Sequence, residues 1–88
     1  MKKVIWLQAC ELRIELFEIK DSPQRLSYPE ALGMRHFAIE VPDLKKFIDY
    51  LNTCGVVCED IKKSKTSNFN YAFIEDPDGL PIEIIEKF

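Results

Sequence analysis

The stretch GMRHFAIEV, residues 33–41, predicts the strand around which the rest of the chain is arranged. Its alternating pattern is typical of a strand, whose successive side chains point to opposite faces. One face would be apolar and suited to a core: Phe37, Ile39 and Val41. The other would carry small or polar groups: His36, Ala38 and Glu40. Because His36 is the only histidine of the chain, this face is the first indication of a site.

Composition excludes several classes of function. A length of 88 residues predicts a single small domain, residues 1–88, and a hydrophobic fraction of 47% predicts that it folds. The net charge is −3 and basic residues form no dense cluster, so no nucleic-acid partner is expected. No apolar run is long enough to span a bilayer, and the first residues lack the long apolar region of a signal peptide. We therefore expect a cytoplasmic protein without a membrane partner.

The three cysteines have no spacing typical of a metal or redox site. Their odd number also argues against a disulfide framework. We expect them to be small apolar side chains buried in the core: Cys10, Cys54 and Cys58.

The first third of the chain predicts a β-hairpin followed by a loop. Two apolar runs, residues 4–10 and 12–19, lie so close together that they are expected to pair as strands. Turn-forming residues then predict a long loop over 20–33. On pattern alone, Glu15 is expected to be a solvated strand carboxylate beside Arg13.

The remainder predicts a helix between strands. Asp43 is a good N-cap, Gly55 a good stop, and apolar residues between them recur at helical spacing, so a helix is expected over 44–54. The apolar stripe of this helix consists of Leu44, Phe47, Ile48 and Leu51. It should pack on the apolar face of the strand predicted over 34–41. Strands are predicted over 34–41, 56–61, 69–75 and 80–86. The motif DPDG, residues 76–79, predicts a tight turn before the last strand.

Two short phrases form an internal repeat. RIEL, residues 13–16, and PIEI, residues 81–84, each fall in the last strand of a unit. The second unit, residues 34–86, reads as a complete βαβββ module. The first resembles the last two strands of the same module, so residues 1–33 are interpreted as a partial first module and a linker.

The sequence resembles the glyoxalase/bleomycin-resistance family, the vicinal oxygen chelate superfamily. The resemblance lies in two stretches: RHFAIEVPDL, residues 35–44, and FIEDPDGLPIE, residues 73–83. Two further stretches are similar to a bacterial glyoxalase-like subgroup: IELF, residues 14–17, and RLSYPEA, residues 25–31. It implies an α+β vicinal oxygen chelate fold, in which two βαβββ modules form one cup around a divalent metal. The metal could be zinc, nickel, manganese, cobalt or iron.

The resemblance also implies the site residues. His36 matches the first-strand metal ligand of the second module, Glu83 its last-strand ligand and Glu15 the last-strand ligand of the first module. Glu83 and Glu15 are also the candidates for the catalytic proton transfer. The strand that would carry the fourth ligand should precede Met1. We therefore expect a homodimer in which the partner completes the cup, bringing two His36 and two Glu83 together.

Three functions remain open at this point. The first is a metal-dependent lyase or isomerase of the lactoylglutathione lyase type, acting on a small oxygenated substrate. The second is a dimer that sequesters a ligand without chemistry, as bleomycin-resistance proteins do. The third is an inactive, truncated family member. Arg25 and Arg35 could bind an anionic group, although solvated or salt-bridged arginines are more common.

Overall fold

The computed structural model describes residues 2–86, which contain two sheets and one helix. In chain order the elements are β1 (Lys2–Ala9), β2 (Leu12–Ile19), β3 (Phe37–Val41), α1 (Leu44–Thr53), β4 (Lys62–Lys63), β5 (Asn70–Glu75) and β6 (Pro81–Glu86). The predicted α+β class is confirmed. Met1, Lys87 and Phe88, which the predicted domain includes, lie outside the described residues.

The second unit forms a four-stranded sheet in the order β3-β6-β5-β4. β3 and β6 are parallel neighbours, whereas β5 pairs with β6 and β4 with β5 in antiparallel fashion. The element order from β3 to β6 is that of the predicted βαβββ module. Because β3 and β6 are adjacent, the beginning of the module lies beside its end.

Helix α1 begins and ends where its capping residues predict. The Asp43 carboxylate accepts a hydrogen bond from the Lys46 amide at 3.0 Å, as an N-cap does. At the other end Gly55 has a φ of 79°, and its amide donates to the Asn52 carbonyl at 3.1 Å. This left-handed cap favours glycine. Among the described residues, no helix is long and apolar enough to cross a bilayer.

The core lies between α1 and one face of the four-stranded sheet. Its fully buried residues are Leu44, Ala72 and Ile84. Ala72 and Ile84 are opposite each other on β5 and β6, and Ile39 of β3 adjoins Ile84. Helix α1 contacts β6, and Ile39 of β3 remains 36% exposed, so the packing of the helix stripe on the Phe37, Ile39 and Val41 face stays a prediction. The opposite face of this sheet, which carries Ala38, Phe73 and Glu83 side by side, is called the site face below.

The hairpin of β1 and β2 is largely exposed. Its strands pair in register from Lys2 with Ile19 to Ala9 with Leu12, and Cys10 and Glu11 form the turn. Large apolar side chains on both faces remain open to solvent, including Trp6 at 59% and Leu7 at 49% exposure. Such an apolar surface is unusual for an isolated domain.

Two predicted strands differ from the observed ones by more than two residues at one end. The strand predicted over 34–41 begins at Phe37 rather than at residue 34, so His36 immediately precedes β3. The strand predicted over 56–61 is wrong: this segment is irregular, and β4 is confined to Lys62–Lys63. The Glu59 amide does donate to the Phe73 carbonyl at 3.0 Å. That bond is one residue out of register with the Lys62–Tyr71 pair, so no regular ladder forms.

The expectation of buried cysteines is wrong for two of the three. Cys10 and Cys54 are exposed, and Cys58 is partly buried; all three are free thiols. Cys10 lies in the hairpin turn with a φ of 54°, and Cys54 is the C-cap of α1. Turns and helix ends lie at the surface, and the apolar character of a thiol does not override this placement.

Candidate functional site

His36 and Glu83 meet on the site face of the four-stranded sheet. His36 Nε2 lies 3.4 Å from Glu83 Oε1, and their side chains are 26% and 17% exposed. Both side chains are therefore partly buried but remain accessible to a small ligand. This pair is the centre of the candidate site.

The parallel pairing of β3 with β6 creates this proximity. Ala38 of β3 lies beside Glu83 of β6, and His36 precedes Ala38 by two residues, which places it on the same face. On the other side of β6, Phe73 lies directly opposite Glu83. The carboxylate is thus framed by a small residue on one side and an aromatic ring on the other.

Aromatic rings form a wall along the site face. The His36 and Phe73 rings meet edge to face, with centroids 5.1 Å apart. Phe73 in turn meets Tyr71 at 6.1 Å, and Tyr71 meets Phe69 at 6.1 Å. Edge-to-face pairs of this kind restrict ring orientation. Phe73 therefore helps to fix the direction in which the imidazole points.

Arg35 contacts the other nitrogen of the imidazole. Its Nη1 lies 3.1 Å from His36 Nδ1. The Arg35 Nε also donates to the Glu30 carboxylate, so the arginine is held in an ion pair with the preceding loop. The expectation that Arg35 is salt-bridged is confirmed.

Arg25 ties the loop to the start of β3. Its Nη2 donates to the Met34 carbonyl at 2.6 Å and to the Arg35 carbonyl at 2.8 Å. Its Nε is buried and has no hydrogen-bond partner. Arg25 thus fixes the backbone that leads into His36, a structural role rather than the anion-binding role considered from the sequence.

A cavity of about 310 Å³ lies between this loop and the sheet. Its lining includes Ser27, Glu30 and Arg35 from the loop side and Lys62, Phe73 and Pro81 from the sheet side. Arg35 and Phe73 also contact His36, so the cavity adjoins the His36–Glu83 pair. Its volume is at the lower end of the range for small-molecule sites.

Glu15 does not join the other two predicted ligands. It is exposed on β2 of the hairpin, where Trp6 lies opposite it. Within residues 2–86, no group of three or more histidine, cysteine, aspartate or glutamate side chains could hold a metal ion. The assignment of Glu15 as a ligand or proton-transfer group remains a prediction.

The His36–Glu83 pair fits half of a metal site. Imidazole nitrogen and carboxylate oxygen are ligands that divalent transition metals accept. When two such atoms bind one zinc ion at bond lengths of about 2.0–2.2 Å and a tetrahedral angle, they lie about 3.4 Å from each other. The observed separation of Nε2 and Oε1 is 3.4 Å. One chain therefore presents two suitable ligands at a suitable spacing, and a complete site needs more.

Two contact residues of the site were not predicted as such. Phe73 was assigned only to an aromatic strand, and its position opposite Glu83 follows from the β5–β6 register. Arg35 is next to His36 in the sequence, but side chains of neighbouring residues usually diverge. The contact depends on the loop that carries Glu30, which no periodicity describes.

A protein-family model matches nearly the whole chain. The family is described as the Glyoxalase/Bleomycin resistance protein/Dioxygenase superfamily, and the match covers residues 1–84. It therefore includes the hairpin and all of the four-stranded sheet except the last two residues of β6.

Two bacterial proteins are similar in sequence. The uncharacterized protein YaeR of Escherichia coli (strain K12) is 40% identical over 74 residues, which are 84% of this chain and 57% of YaeR. The uncharacterized protein YwkD of Bacillus subtilis (strain 168) is 39% identical over 74 residues, 84% of this chain and 58% of YwkD. The match thus spans little more than half the length of either relative.

Two solved structures share the fold. A glyoxalase family protein from Enterococcus faecalis has a TM-score of 0.89 and 36% identity, covering 94% of this chain and 66% of that one. The protein SMU.1112c has a TM-score of 0.82 and 33% identity, covering 94% and 68%. At these identities the similarity extends to the sequence as well as to the fold.

Proposed function

The chain belongs to the glyoxalase/bleomycin resistance protein/dioxygenase superfamily, and on that premise we propose that it is a metal-dependent lyase or isomerase of the lactoylglutathione lyase type. Its substrate would be a small molecule with adjacent oxygen atoms. The observation that carries the proposal is the pairing of His36 Nε2 and Glu83 Oε1, 3.4 Å apart on the site face. The fold alone does not select this reaction, since one fold serves many chemistries.

The residues of the site have distinct roles in this proposal. His36 and Glu83 would hold the metal, and their nitrogen and oxygen ligands suit zinc, nickel, manganese, cobalt or iron. When bound, such an ion supplies Lewis-acid stabilisation of negative charge on substrate oxygens. Glu83 or Glu15 accepts the substrate proton, as a carboxylate base does. The Phe73 and Tyr71 rings shield one side of the reacting centre from water, which strengthens its electrostatic interactions.

We propose that the complete site is assembled in a homodimer. β3 is at the edge of the four-stranded sheet, so a second copy can approach the side where His36 lies. A two-fold arrangement of two such sheets would supply two His36 and two Glu83 to one ion. The exposed apolar hairpin supports the presence of a covering partner.

The leading alternative is a dimer that sequesters a ligand without chemistry. The cavity beside Phe73 and Arg35 supports it, because a volume of about 310 Å³ suits a small organic ligand. Metal dependence separates the two functions: ligand binding that is unaffected by chelators would favour sequestration.

We also place the protein in the cytoplasm. Its three cysteines are free thiols, two of them exposed. Exposed thiols are compatible with a reducing compartment, where disulfides rarely persist.

Native mass spectrometry tests the proposed site. The purified chain is measured with and without added nickel or zinc, beside His36→Ala and the control Lys46→Met, which removes an exposed charge on α1. We expect a dimer that gains metal, with the gain abolished by His36→Ala and retained by the control. Metal uptake by His36→Ala at the wild-type level would refute the assigned site. A monomer without metal would refute both the dimer and the enzyme.

A further inference from the structure

We propose that Arg35 is a positioning residue that holds the His36 proton on Nε2. The assignment of this tautomer rests on geometry alone, whereas its consequence for metal binding rests on the function proposed above.

The hydrogen-bonding capacity of the groups dictates the tautomer. A guanidinium has N–H donors and no acceptor. Because Arg35 Nη1 lies 3.1 Å from His36 Nδ1, that nitrogen must be the acceptor and carry no proton. A neutral imidazole has a single N–H, which is then on Nε2. Nε2 lies 3.4 Å from Glu83 Oε1, a contact that is compatible with this tautomer but longer than a normal hydrogen bond.

The surrounding contacts hold Arg35 in this position. Glu30 accepts a hydrogen bond from its Nε, leaving Nη1 directed at the imidazole. Arg25 donates to the carbonyls of Met34 and Arg35, which fixes the backbone on which the Arg35 and His36 side chains stand. Phe73 restricts the imidazole from its edge. The tautomer is thus set by a network rather than by one exposed side chain.

This arrangement opposes metal binding at Nε2. A divalent ion there needs the Nε2 lone pair, so the proton of a neutral ring must move to Nδ1. Nδ1–H and the Arg35 N–H would then face each other as two donors, and the guanidinium must withdraw from Nδ1. In many metal sites the outer ring nitrogen instead donates to an acceptor, which stabilises the bound form. Arg35 therefore lowers the affinity of the His36–Glu83 pair for metal.

Nitrogen NMR of the imidazole tests the tautomer directly. Because the chain has one histidine, ¹⁵N-histidine labelling gives a single ring whose Nδ1 and Nε2 signals identify the protonated nitrogen. The ring is studied metal-free, at a pH where the same signals show it to be neutral. We expect Nε2–H in the wild type, and in Glu83→Ala, where only Arg35 remains to fix the tautomer.

A second substitution isolates Arg35. In the Glu83→Ala background, Arg35→Met should give a mixture of tautomers, and Arg35→Lys, which keeps a donor without an acceptor, should restore Nε2–H. Nδ1–H in the wild type, or the same tautomer populations with and without Arg35, would overturn the proposal. A change of fold is checked by the amide spectrum.

Metal titration tests the consequence. By calorimetry with Zn²⁺ alone, Arg35→Met should bind about tenfold more tightly than the wild type, the lower end of the effect of groups behind a metal ligand. Lys46→Met should bind as the wild type does. Equal affinities of wild type and Arg35→Met would overturn the inhibitory role. Absence of binding in every variant would refute the proposed metal site, while the NMR result would still decide the tautomer.

Discussion

Replacing Glu83 by glutamine separates a functional carboxylate from a structural one. The substitution keeps the shape of the side chain and removes its charge. In the folded chain the carboxylate is 17% exposed and lies 3.4 Å from His36 Nε2. This distance exceeds the usual 2.7–3.2 Å or so of an N–H···O hydrogen bond. The contact is therefore weak, and the carboxylate is partly desolvated.

The two effects on stability nearly cancel. Loss of this long polar contact should cost about 1 kcal/mol at most. Removal of a partly desolvated charge should return a similar amount. The free energy of unfolding without metal should thus stay within about 1 kcal/mol of the wild type, which is about 4–8 °C in melting temperature for a domain of this size. Stabilisation by metal, about 2.7 kcal/mol at 100 times the dissociation constant, should disappear.

Glu86 provides the matched control on the same strand. It is on the opposite face, where its carboxylate accepts from the Leu44 amide at 2.8 Å at the start of α1. Glu86→Gln should lower stability by about 0.3–1 kcal/mol through the helix dipole and leave the metal effect intact. Thermal unfolding is measured by circular dichroism at one protein concentration, with and without zinc. Destabilisation of metal-free Glu83→Gln by more than about 2 kcal/mol, the range of lost buried partners, would refute the functional interpretation.

Three further predictions concern the core, the hairpin and a thiol. Ile84→Ala removes a fully buried side chain under α1 and should cost about 2–4 kcal/mol in urea unfolding; a loss below about 1 kcal/mol would contradict the assigned core. Leu7→Lys, on the exposed hairpin, should weaken the proposed dimer in sedimentation; an unchanged dimer would show that this face is not its interface. Burial raises the pKa of the Cys58 thiol, which leaves less thiolate at pH 8, so mass spectrometry should show slower alkylation of Cys58 by iodoacetamide than of Cys10; equal rates would contradict it.

Turns and helix caps were predicted correctly because they depend on residues that are close together in the sequence. The Asp76 carboxylate accepts from the amides of Asp78 and Leu80, both at 2.8 Å, and Gly79 has a φ of 90°. These are the roles that the DPDG motif assigns to its first and last residues. The caps of α1 were predicted for the same reason, since a cap involves residues within one turn of each other.

Pairing between distant strands could not be predicted in the same way. Residues 56–61 have the composition of a strand, yet their regular pairing begins only at Lys62. Composition describes the fit of side chains to a sheet, whereas a strand also needs a partner in register. The Glu59–Phe73 bond shows that a partner is near and that the register is broken.

The site was predictable only in part for the same physical reason. Residues 36 and 83 are far apart in the chain, and their approach depends on the parallel pairing of β3 with β6. No spacing in the sequence encodes that pairing, and the family resemblance suggested it. The position of Arg35 against Nδ1 depends further on the loop conformation that Arg25 and Glu30 stabilise.

The internal repeat links the open hairpin to the open site. Trp6 lies opposite Glu15 as Phe73 lies opposite Glu83, and Ile5 pairs with Leu16 as Ala72 pairs with Ile84. In the second unit the latter pair is buried under α1, whereas Ile5 and Leu16 are 39% and 43% exposed. The hairpin therefore has apolar side chains like those of the four-stranded sheet, but no helix within residues 2–86 covers them. Glu15 has an aromatic residue opposite it, as Glu83 does, but no histidine beside it. A surface that covers the hairpin would change the surroundings of Glu15 as well, so oligomeric state and metal binding must be measured on the same sample.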